Sequence, residues 1–286
     1  MFKCVTAVRK TGVGIMAAIL GLAIWAGPQL RGSEMPVTLT DLNSTAQIYC
    51  QCDTGIGSWA VNGTNQIARQ WFWYSVGTVG ASNPEQAFNS LFCTFDRPST
   101  TYVSNDTLTQ DFTQSGQFDI SLTYLLHGAS STVSNMTVQI TVTNLQSQAL
   151  NFNLFQLANF DLGGSSGLDT AQASVNQGLY TNFAEYNQST TLDLTASPGA
   201  TRAQVGADPT IYNCLSGPQG GDLNDSVGPT GPANVDSALQ WDLNVAGNGT
   251  STVTVDESLT VGVVPEPATL CLLVLGGLGV LRRKKN

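Results

Sequence analysis

The stretch Phe118-Asp119-Ile120-Ser121-Leu122-Thr123-Tyr124-Leu125-Leu126 alternates apolar and polar side chains over most of its length. Successive side chains of a β-strand point to opposite faces, so this period of two predicts a strand with one buried face. The same alternation recurs at 138–143, 239–245 and 252–261. No window shows a convincing apolar repeat of 3.6 residues. The pattern predicts an all-β fold, an antiparallel β-sandwich that is jelly-roll-like or Ig-like.

Two short segments predict turns between these strands. Ala246-Gly247-Asn248-Gly249-Thr250 contains Asn-Gly, a strong signal of a tight hairpin because both residues accept positive φ. We therefore expect the two C-terminal strands to pair with each other. His127-Gly128-Ala129-Ser130-Ser131 predicts a second turn, between strands at 117–126 and 132–144. The Gly- and Pro-rich segment 213–237 is expected to be a long surface loop.

The N-terminal segment has the form of a secretory signal peptide. Lys3, Arg9 and Lys10 precede an apolar run from Gly12 to Ala26, which is shorter than the roughly 20 residues that span a membrane. An uncleaved anchor is the alternative. We expect a signal peptide at 1–32, a single β-sandwich domain at 33–262 and a C-terminal segment at 263–286, with a hydrophobic helix at each end.

The charge of the expected body excludes one class of partner. Between Ser33 and Val264 three arginines and no lysine stand against 19 acidic residues, a net charge of −16, whereas the whole chain has −9. Nucleic-acid binding depends on Lys and Arg at the phosphates, so we expect no nucleic-acid partner. Such a body could attract divalent cations, although solubility alone is a simpler reason for the charge.

The C-terminal tail has three parts in a fixed order. Pro265, Glu266 and Pro267 come first, an uncharged run from 268 to 281 follows, and the chain closes with a basic cluster. As a helix the uncharged run would be about 21 Å long, which is short for a permanent membrane span. The basic cluster would remain on the cytoplasmic side as a membrane stop; it comprises Arg282, Arg283, Lys284 and Lys285.

This tail resembles the PEP-CTERM sorting signal of bacterial exported proteins. The resemblance covers Val264 to Lys285 and rests on the order of motif, apolar run and basic end. It implies that Pro265, Glu266 and Pro267 are recognised by an exosortase, a membrane enzyme that processes the tail. It also implies a membrane contact that lasts until processing, and delivery to the cell surface or the extracellular matrix.

The cysteines predict disulfides, because an even number in an exported domain favours them. Four lie in the body: Cys50, Cys52, Cys93 and Cys214. In a strand, Cys50 and Cys52 would point to one face about 6.5 Å apart and would not join each other. Each would instead pair with Cys93 or Cys214, and both connectivities stay open. Free thiols and a zinc site are the alternatives, and the Cys-x-x-Cys spacing typical of zinc is absent.

No catalytic set stands out in the sequence. His127 is the only histidine and no Gly-x-Ser-x-Gly motif accompanies it, so we interpret it as a polar turn residue. Nothing in the spacing pairs Glu85, Glu185 and Glu257 as a glycosidase would require. We expect no catalytic residue, no metal and no cofactor, although a loose calcium site formed by the segment 222–228, with Asp161 or Asp169, is left open. Glu257 interrupts the apolar face of its strand without an evident reason.

An aromatic run suggests one possible binding surface. In a strand, Trp71 and Trp73 would share one face, where they could stack on sugar rings if exposed or join the core if buried. From these features we expect a surface or matrix protein with a structural or adhesive role, not an enzyme, with an extracellular polysaccharide as a further partner. A glycan-binding module and a secreted hydrolase are the alternatives. An exposed Trp71 or Trp73 would favour the first, and a pocket with two close carboxylates the second.

Overall fold

The computed structural model describes residues 36–50, 55–78, 80, 84–88, 97–102, 104–217 and 220–262. Within them, antiparallel β-strands dominate, accompanied by one six-residue helix, α1 (Thr210–Leu215), and a 3-10 turn at Leu162–Gly164. No helix in these ranges is long and apolar enough to cross a membrane. The expected signal peptide, the two expected terminal helices and the sorting tail lie outside the described residues.

The strands form two sheets that pack face to face, which confirms the all-β antiparallel sandwich. The described part of sheet A has nine strands, in the order β1 (Val37–Asp41), β2 (Ser44–Tyr49), β3 (Gly55–Val61), β5 (Ile67–Val76), β11 (Leu150–Phe160), β17 (Val235–Val245) and β15 (Arg202–Ala207), with β4 (Thr64–Asn65) beside β3 and β6 (Gln86–Ala87) beside β5.

Sheet B also has nine strands among the described residues. Their order is β16 (Thr230–Ala233), β12 (Asp169–Asn176), β13 (Leu179–Tyr186), β14 (Thr190–Ala200), β18 (Thr250–Val261), β10 (Val133–Asn144), β9 (Phe118–Gly128), β8 (Thr107–Gln114) and β7 (Arg97–Tyr102).

The alternation read from the sequence places the core between the two sheets. In β9, Phe118, Ile120, Leu122, Tyr124 and Leu126 are all buried, while the residues between them are partly or largely exposed. Their apolar area leaves water on folding, and this burial is the main contribution to stability. A buried hydrogen bond also links the two sheets, in which Trp59 Nε1 donates to Ser134 Oγ at 2.9 Å.

The predicted pairing of the two C-terminal strands is wrong. A tight turn does form, with Asn248 at a φ of 55°. However, β17 pairs with β11 and β15 in sheet A, whereas β18 pairs with β10 and β14 in sheet B. The turn therefore carries the chain from one sheet to the other. By contrast, β9 and β10 pair directly, so the turn predicted at 127–131 is confirmed.

Glu257, which interrupts the apolar face of β18, has polar partners across the core. It points inward from β18, and its Oε1 accepts hydrogen bonds from the amides of Gln70 and, at 3.0 Å, Gln156, both on the inner face of sheet A. Complete burial raises the pKa of Glu257 to about 8, although the two amide bonds oppose the rise. The interruption of the apolar face is a polar link between the sheets.

Cys214 does not form either of the disulfides expected for it. Cys214 is exposed in α1 and has a free thiol, because this short helix turns its side chain away from the body. Cys50 is buried, and its Sγ lies 3.7 Å from the carbonyl oxygen of Ile48, which accepts a weak hydrogen bond from it. Cys52 and Cys93 lie outside the described residues.

Candidate functional site

The outer face of sheet A, turned away from sheet B, is partly covered by α1 and the segment 220–226. A second apolar cluster lies beneath this cover, and it comprises Trp73, Phe155, Leu157, Ile211, Leu215, Leu223 and Ala238. It forms because the strands β5, β11 and β17 carry apolar residues on both faces here. The covered area divides the outer face and leaves a polar region open at one end.

The two tryptophans predicted for glycan stacking belong to the covered area. Trp73 is only 3% exposed, and its ring meets that of Trp71 edge-on at 6.2 Å between centroids. Tyr212 of α1 lies 5.5 Å from Trp71, and the guanidinium of Arg69 lies 5.4 Å from the centre of the same ring. The pair therefore does not present a flat exposed platform.

Next to this cluster lies an open polar pocket with a volume of about 260 Å³. Strand register creates it, because Asn151 and Asn153 of β11 stand opposite Asn244 and Asp242 of β17 on the outer face. Asn153 Nδ2 donates to the carbonyl oxygen of Gly77 at 2.7 Å, which closes one side. The complete lining is Gly77, Thr78, Asn151, Asn153, Asp222, Asp242, Leu243 and Asn244.

Two carboxylates of this pocket accept hydrogen bonds from the same nitrogen atom. Gln240 Nε2 donates to Asp222 Oδ1 and to Asp242 Oδ1, each at 2.7 Å, so the two oxygens are separated by no more than twice that distance. Gln240 is fully buried, and its Oε1 accepts a bond from the backbone N–H of Leu223 at 2.8 Å. The buried amide of Gln240 thus holds the segment that carries Asp222 next to the carboxylate of Asp242 in β17.

A single cation accompanies this pair. Arg202 lies 3.5 Å from Asp222 Oδ2 and 3.1 Å from Asp225 Oδ2. Its guanidinium is therefore shared between two aspartates, and Asp242 has no basic partner within the described residues. The pocket keeps a surplus of negative charge next to several neutral amides.

Glu85 holds the backbone of the segment that carries Asp222. It is 8% exposed, and its Oε1 accepts the backbone N–H of Gly221 at 2.8 Å, directly before Asp222. Burial raises the pKa of Glu85, the bond from Gly221 opposes that rise, and the nearby charge of Asp222 adds to it. Gly220 has a φ of +58°, and a Cβ there would approach Pro84 Cα to 2.9 Å, so this close packing requires glycine.

A second group of carboxylates lies at the other end of the molecule. Glu185 is fully buried and neither oxygen has a hydrogen-bond partner; burial raises its pKa, and Asp169, Asp161 and Asp236 raise it further. Burial raises the pKa of Asp169 to about 6. Asp169 accepts a bond from Asn187 at 3.1 Å. Among the described residues, no three acidic, histidine or cysteine side chains form a possible metal site, so the calcium alternative finds no support.

The remaining residues considered from the sequence lie away from the pocket. His127 is at the end of β9 in sheet B, largely exposed, with Nδ1 at 3.2 Å from Asp41 Oδ2. The sequence offered little sign of the pocket itself, because Asp242 sits on an alternating polar face and Asp222 in an expected loop. The one available signal was the set of asparagines at 151, 153 and 244.

Comparison with known structures identifies the architecture of the body. The chain is similar to a bacterial glucoamylase complexed with acarbose (TM-score 0.56, 10% identity, covering 85% of this chain and 34% of that chain). It is also similar to a putative aldose 1-epimerase from Escherichia coli K12 (0.52, 10%, 79% and 99%). A galactose mutarotase-like protein from Lactobacillus casei ATCC 334 gives similar values (0.54, 10%, 78% and 99%).

These likenesses correct two predictions. The sandwich resembles that of a galactose mutarotase-like protein, instead of the jelly-roll-like or Ig-like one expected. The prediction of a structural or adhesive protein that is not an enzyme is contradicted, because the architecture is one that carbohydrate enzymes use. A comparison with curated protein sequences gives no match.

The tail is identified by a family model. The model for the PEP-CTERM protein-sorting motif matches residues 263–285, which confirms the resemblance read from the sequence. The motif implies export, an exosortase as processing partner, and a tail associated with the membrane before processing. The chain therefore carries the PEP-CTERM protein-sorting motif at residues 263–285, which is consistent with an exosortase substrate.

Proposed function

We propose that the body is an exported sugar-processing enzyme that interconverts the anomers of a free, neutral aldose in the Asp222–Asp242 pocket. One observation carries this proposal: two carboxylates share the amide of Gln240 at the wall of an open polar pocket. The fold supports it, because proteins described as aldose 1-epimerase and galactose mutarotase-like have the same architecture.

The chemistry needs one acid and one base, and the pair provides both. One member of the pair, as the base, removes the proton from the anomeric hydroxyl while the other, as the acid, gives a proton to the ring oxygen. The C1–O5 bond breaks and the open-chain aldehyde forms. Rotation about C1–C2 presents the other face of the carbonyl, and the reverse transfers close the ring as the opposite anomer. No proton is gained or lost overall, so two carboxylates that exchange roles between ring opening and ring closure suit this reaction.

The pocket also favours a particular type of sugar. Its side-chain amides and the hydroxyl of Thr78 match the hydroxyl groups of an aldose. An acidic sugar would meet Asp222 and Asp242 without a free cation, because Arg202 is already engaged by two aspartates. Desolvating a carboxylate beside two others is costly, so a neutral substrate is expected.

The sorting tail suggests how the rest of the chain is divided into segments and where the protein acts. We propose a signal peptide at 1–32, a catalytic body at 33–262 and the sorting segment at 263–286, whose Pro265–Pro267 motif the exosortase recognises. The segment from 268 to 281, with its basic end, would hold the precursor in the membrane until processing. The mature enzyme would then act at the cell surface or in the extracellular matrix, where free sugars and polysaccharides meet it.

The test is the rate at which a freshly dissolved α-anomer reaches equilibrium. Protein purified from its host after export is added to α-galactose or α-glucose, and optical rotation is followed at a pH where the spontaneous reaction is slow. We expect faster equilibration in proportion to protein concentration, and no acceleration with galacturonate. Spontaneous rates for every neutral aldose tested, at all protein concentrations, would refute the proposed activity.

A further inference from the structure

The outer face of sheet B has a depression of its own, on the side of the sandwich opposite the Asp222–Asp242 pocket. It lies between β12, β13 and β14 and has a volume of about 210 Å³. Register shifts between Ser174 and Val175, and between Tyr180 and Asn182, flank it. Bulges of this kind bend a strand and re-aim its side chains, which is how a flat sheet gains a concave site.

One rung of the sheet gives this depression its polar walls. Ala184 stands opposite Gln172 on one side and Asp193 on the other, so the three side chains share the outer face. Neighbouring strands are about 4.8 Å apart, so the amide of Gln172 and the carboxylate of Asp193 flank the small alanine at a separation of about 10 Å. Gln172 and Asp193 are exposed, and so is Asn182 beside them.

An aromatic ring lies next to the depression. Tyr186 follows Ala184 by two residues, so its side chain is on the same face, and it is 41% exposed. Its neighbours across the strands are Thr170 and Thr191. Beyond them the outer face continues with hydroxyl groups, and Thr137 Oγ1 donates to Asp256 Oδ1 at 2.6 Å on the adjoining strands. The surface thus combines the exposed ring of Tyr186 with hydroxyl, amide and carboxylate groups that can form hydrogen bonds to a sugar.

We propose that this depression, with Tyr186, binds one stretch of a neutral polysaccharide chain. One sugar unit would occupy the depression, with its hydroxyl groups bonded to Gln172, Asn182 and Asp193. The adjacent unit would place its C–H face on the ring of Tyr186, where apolar contact and a polar rim meet. An acidic polymer would be repelled by Asp193 and by the body's net charge of −16. This site is independent of the anomer chemistry on sheet A.

Affinity electrophoresis tests the site with the full exported protein. Gels contain amylose, a galactan or a soluble β-glucan as neutral polymers, or polygalacturonate as the acidic one. At least one neutral polymer is expected to retard the protein, and polygalacturonate to have no effect. Tyr186→Ala is expected to weaken that retardation at least tenfold. The matched control is Tyr49→Ala, which removes another partly exposed tyrosine from the edge region of sheet A and should change nothing.

Two further variants separate this site from the pocket and from a folding defect. Gln172→Ala removes an exposed amide and is expected to weaken binding several-fold with the circular dichroism spectrum unchanged. Asp242→Asn, in the pocket on sheet A, should bind the neutral polymer as the wild type does. The proposal is overturned if no neutral polymer retards the protein, if Tyr186→Ala and Gln172→Ala bind normally, or if Asp242→Asn abolishes the retardation.

Discussion

Replacing Glu257 with glutamine is expected to make the protein more stable than the wild type at pH 8, with the advantage disappearing as the pH is lowered. The carboxyl is completely buried between the sheets, and burial raises its pKa from 4.5 to about 8. The folded state therefore holds this proton more tightly than the unfolded chain does. The stabilisation is complete at a pH below 4.5 and is lost as the pH rises through the folded pKa.

The size of the effect follows from the same linkage. Between pH 6 and pH 8 the stability difference between the variant and the wild type should grow by roughly 2 kcal/mol. A glutamine is neutral throughout this range, and its Oε1 can still accept the bonds from Gln70 and Gln156. Other carboxyls whose pKa burial raises, such as Asp169 and Glu185, contribute a slope to both proteins alike, so their contribution cancels in the difference.

Urea unfolding of both proteins at pH 5, 6, 7 and 8 measures this difference. Thr260→Val is the matched control, because Thr260 is exposed on the same strand and has no titratable group, so its replacement should leave the pH profile unchanged. Parallel stability curves for the wild type and Glu257→Gln across the range would show that the buried carboxyl does not titrate as described.

Replacing Asp242 with asparagine is expected to reduce the acceleration of anomer exchange by at least about 100-fold, the lower range of acid–base catalysis. The variant keeps the size of the side chain and an oxygen that can accept the bond from Gln240, so the pocket retains its shape. It removes one member of the pair that supplies the acid and the base. Because the two act as a unit, Asp222→Asn together with Asp242→Asn should cost little more than either change alone.

The same polarimetric assay measures this loss, with urea unfolding to show that stability is retained. Asp225→Asn serves as the control, because Asp225 contacts Arg202 but does not line the pocket. Near-normal exchange by the Asp242→Asn protein would remove the pair from the chemistry. A loss in the Asp225→Asn protein of equal size would point to the charge of Arg202 instead.

Much of the fold was predictable, because a half-buried strand imposes its period on the sequence. The alternation at 118–126 predicted β9 and its buried face. Strand partners were harder to predict. Asn248-Gly249 specifies a tight turn, but it does not specify which sheet the following strand joins. Burial of the inner faces of both sheets favours β18 in sheet B over pairing with β17 in sheet A.

The candidate site was hidden for a different reason. Asp222 and Asp242 are joined only when the segment after α1 folds over sheet A and Gln240 bonds to both. No spacing in the sequence encodes that approach, and an aspartate on the polar face of a strand looks like any solvated residue. The burial of Trp73 was hidden for a related reason, since no helix was predicted at 210–215, where the short uncapped helix α1 covers it.

The account's central claim is that a neutral aldose binds beside Asp222 and Asp242. Carbon NMR of protein labelled at its aspartate side chains tests it most directly, with galactose and glucose titrated into the sample. We predict that the carboxyl signals of Asp222 and Asp242 shift with saturation while that of Asp111, in β8 of the opposite sheet, stays in place. Saturable shifts elsewhere, with these two signals unmoved, would contradict the claim.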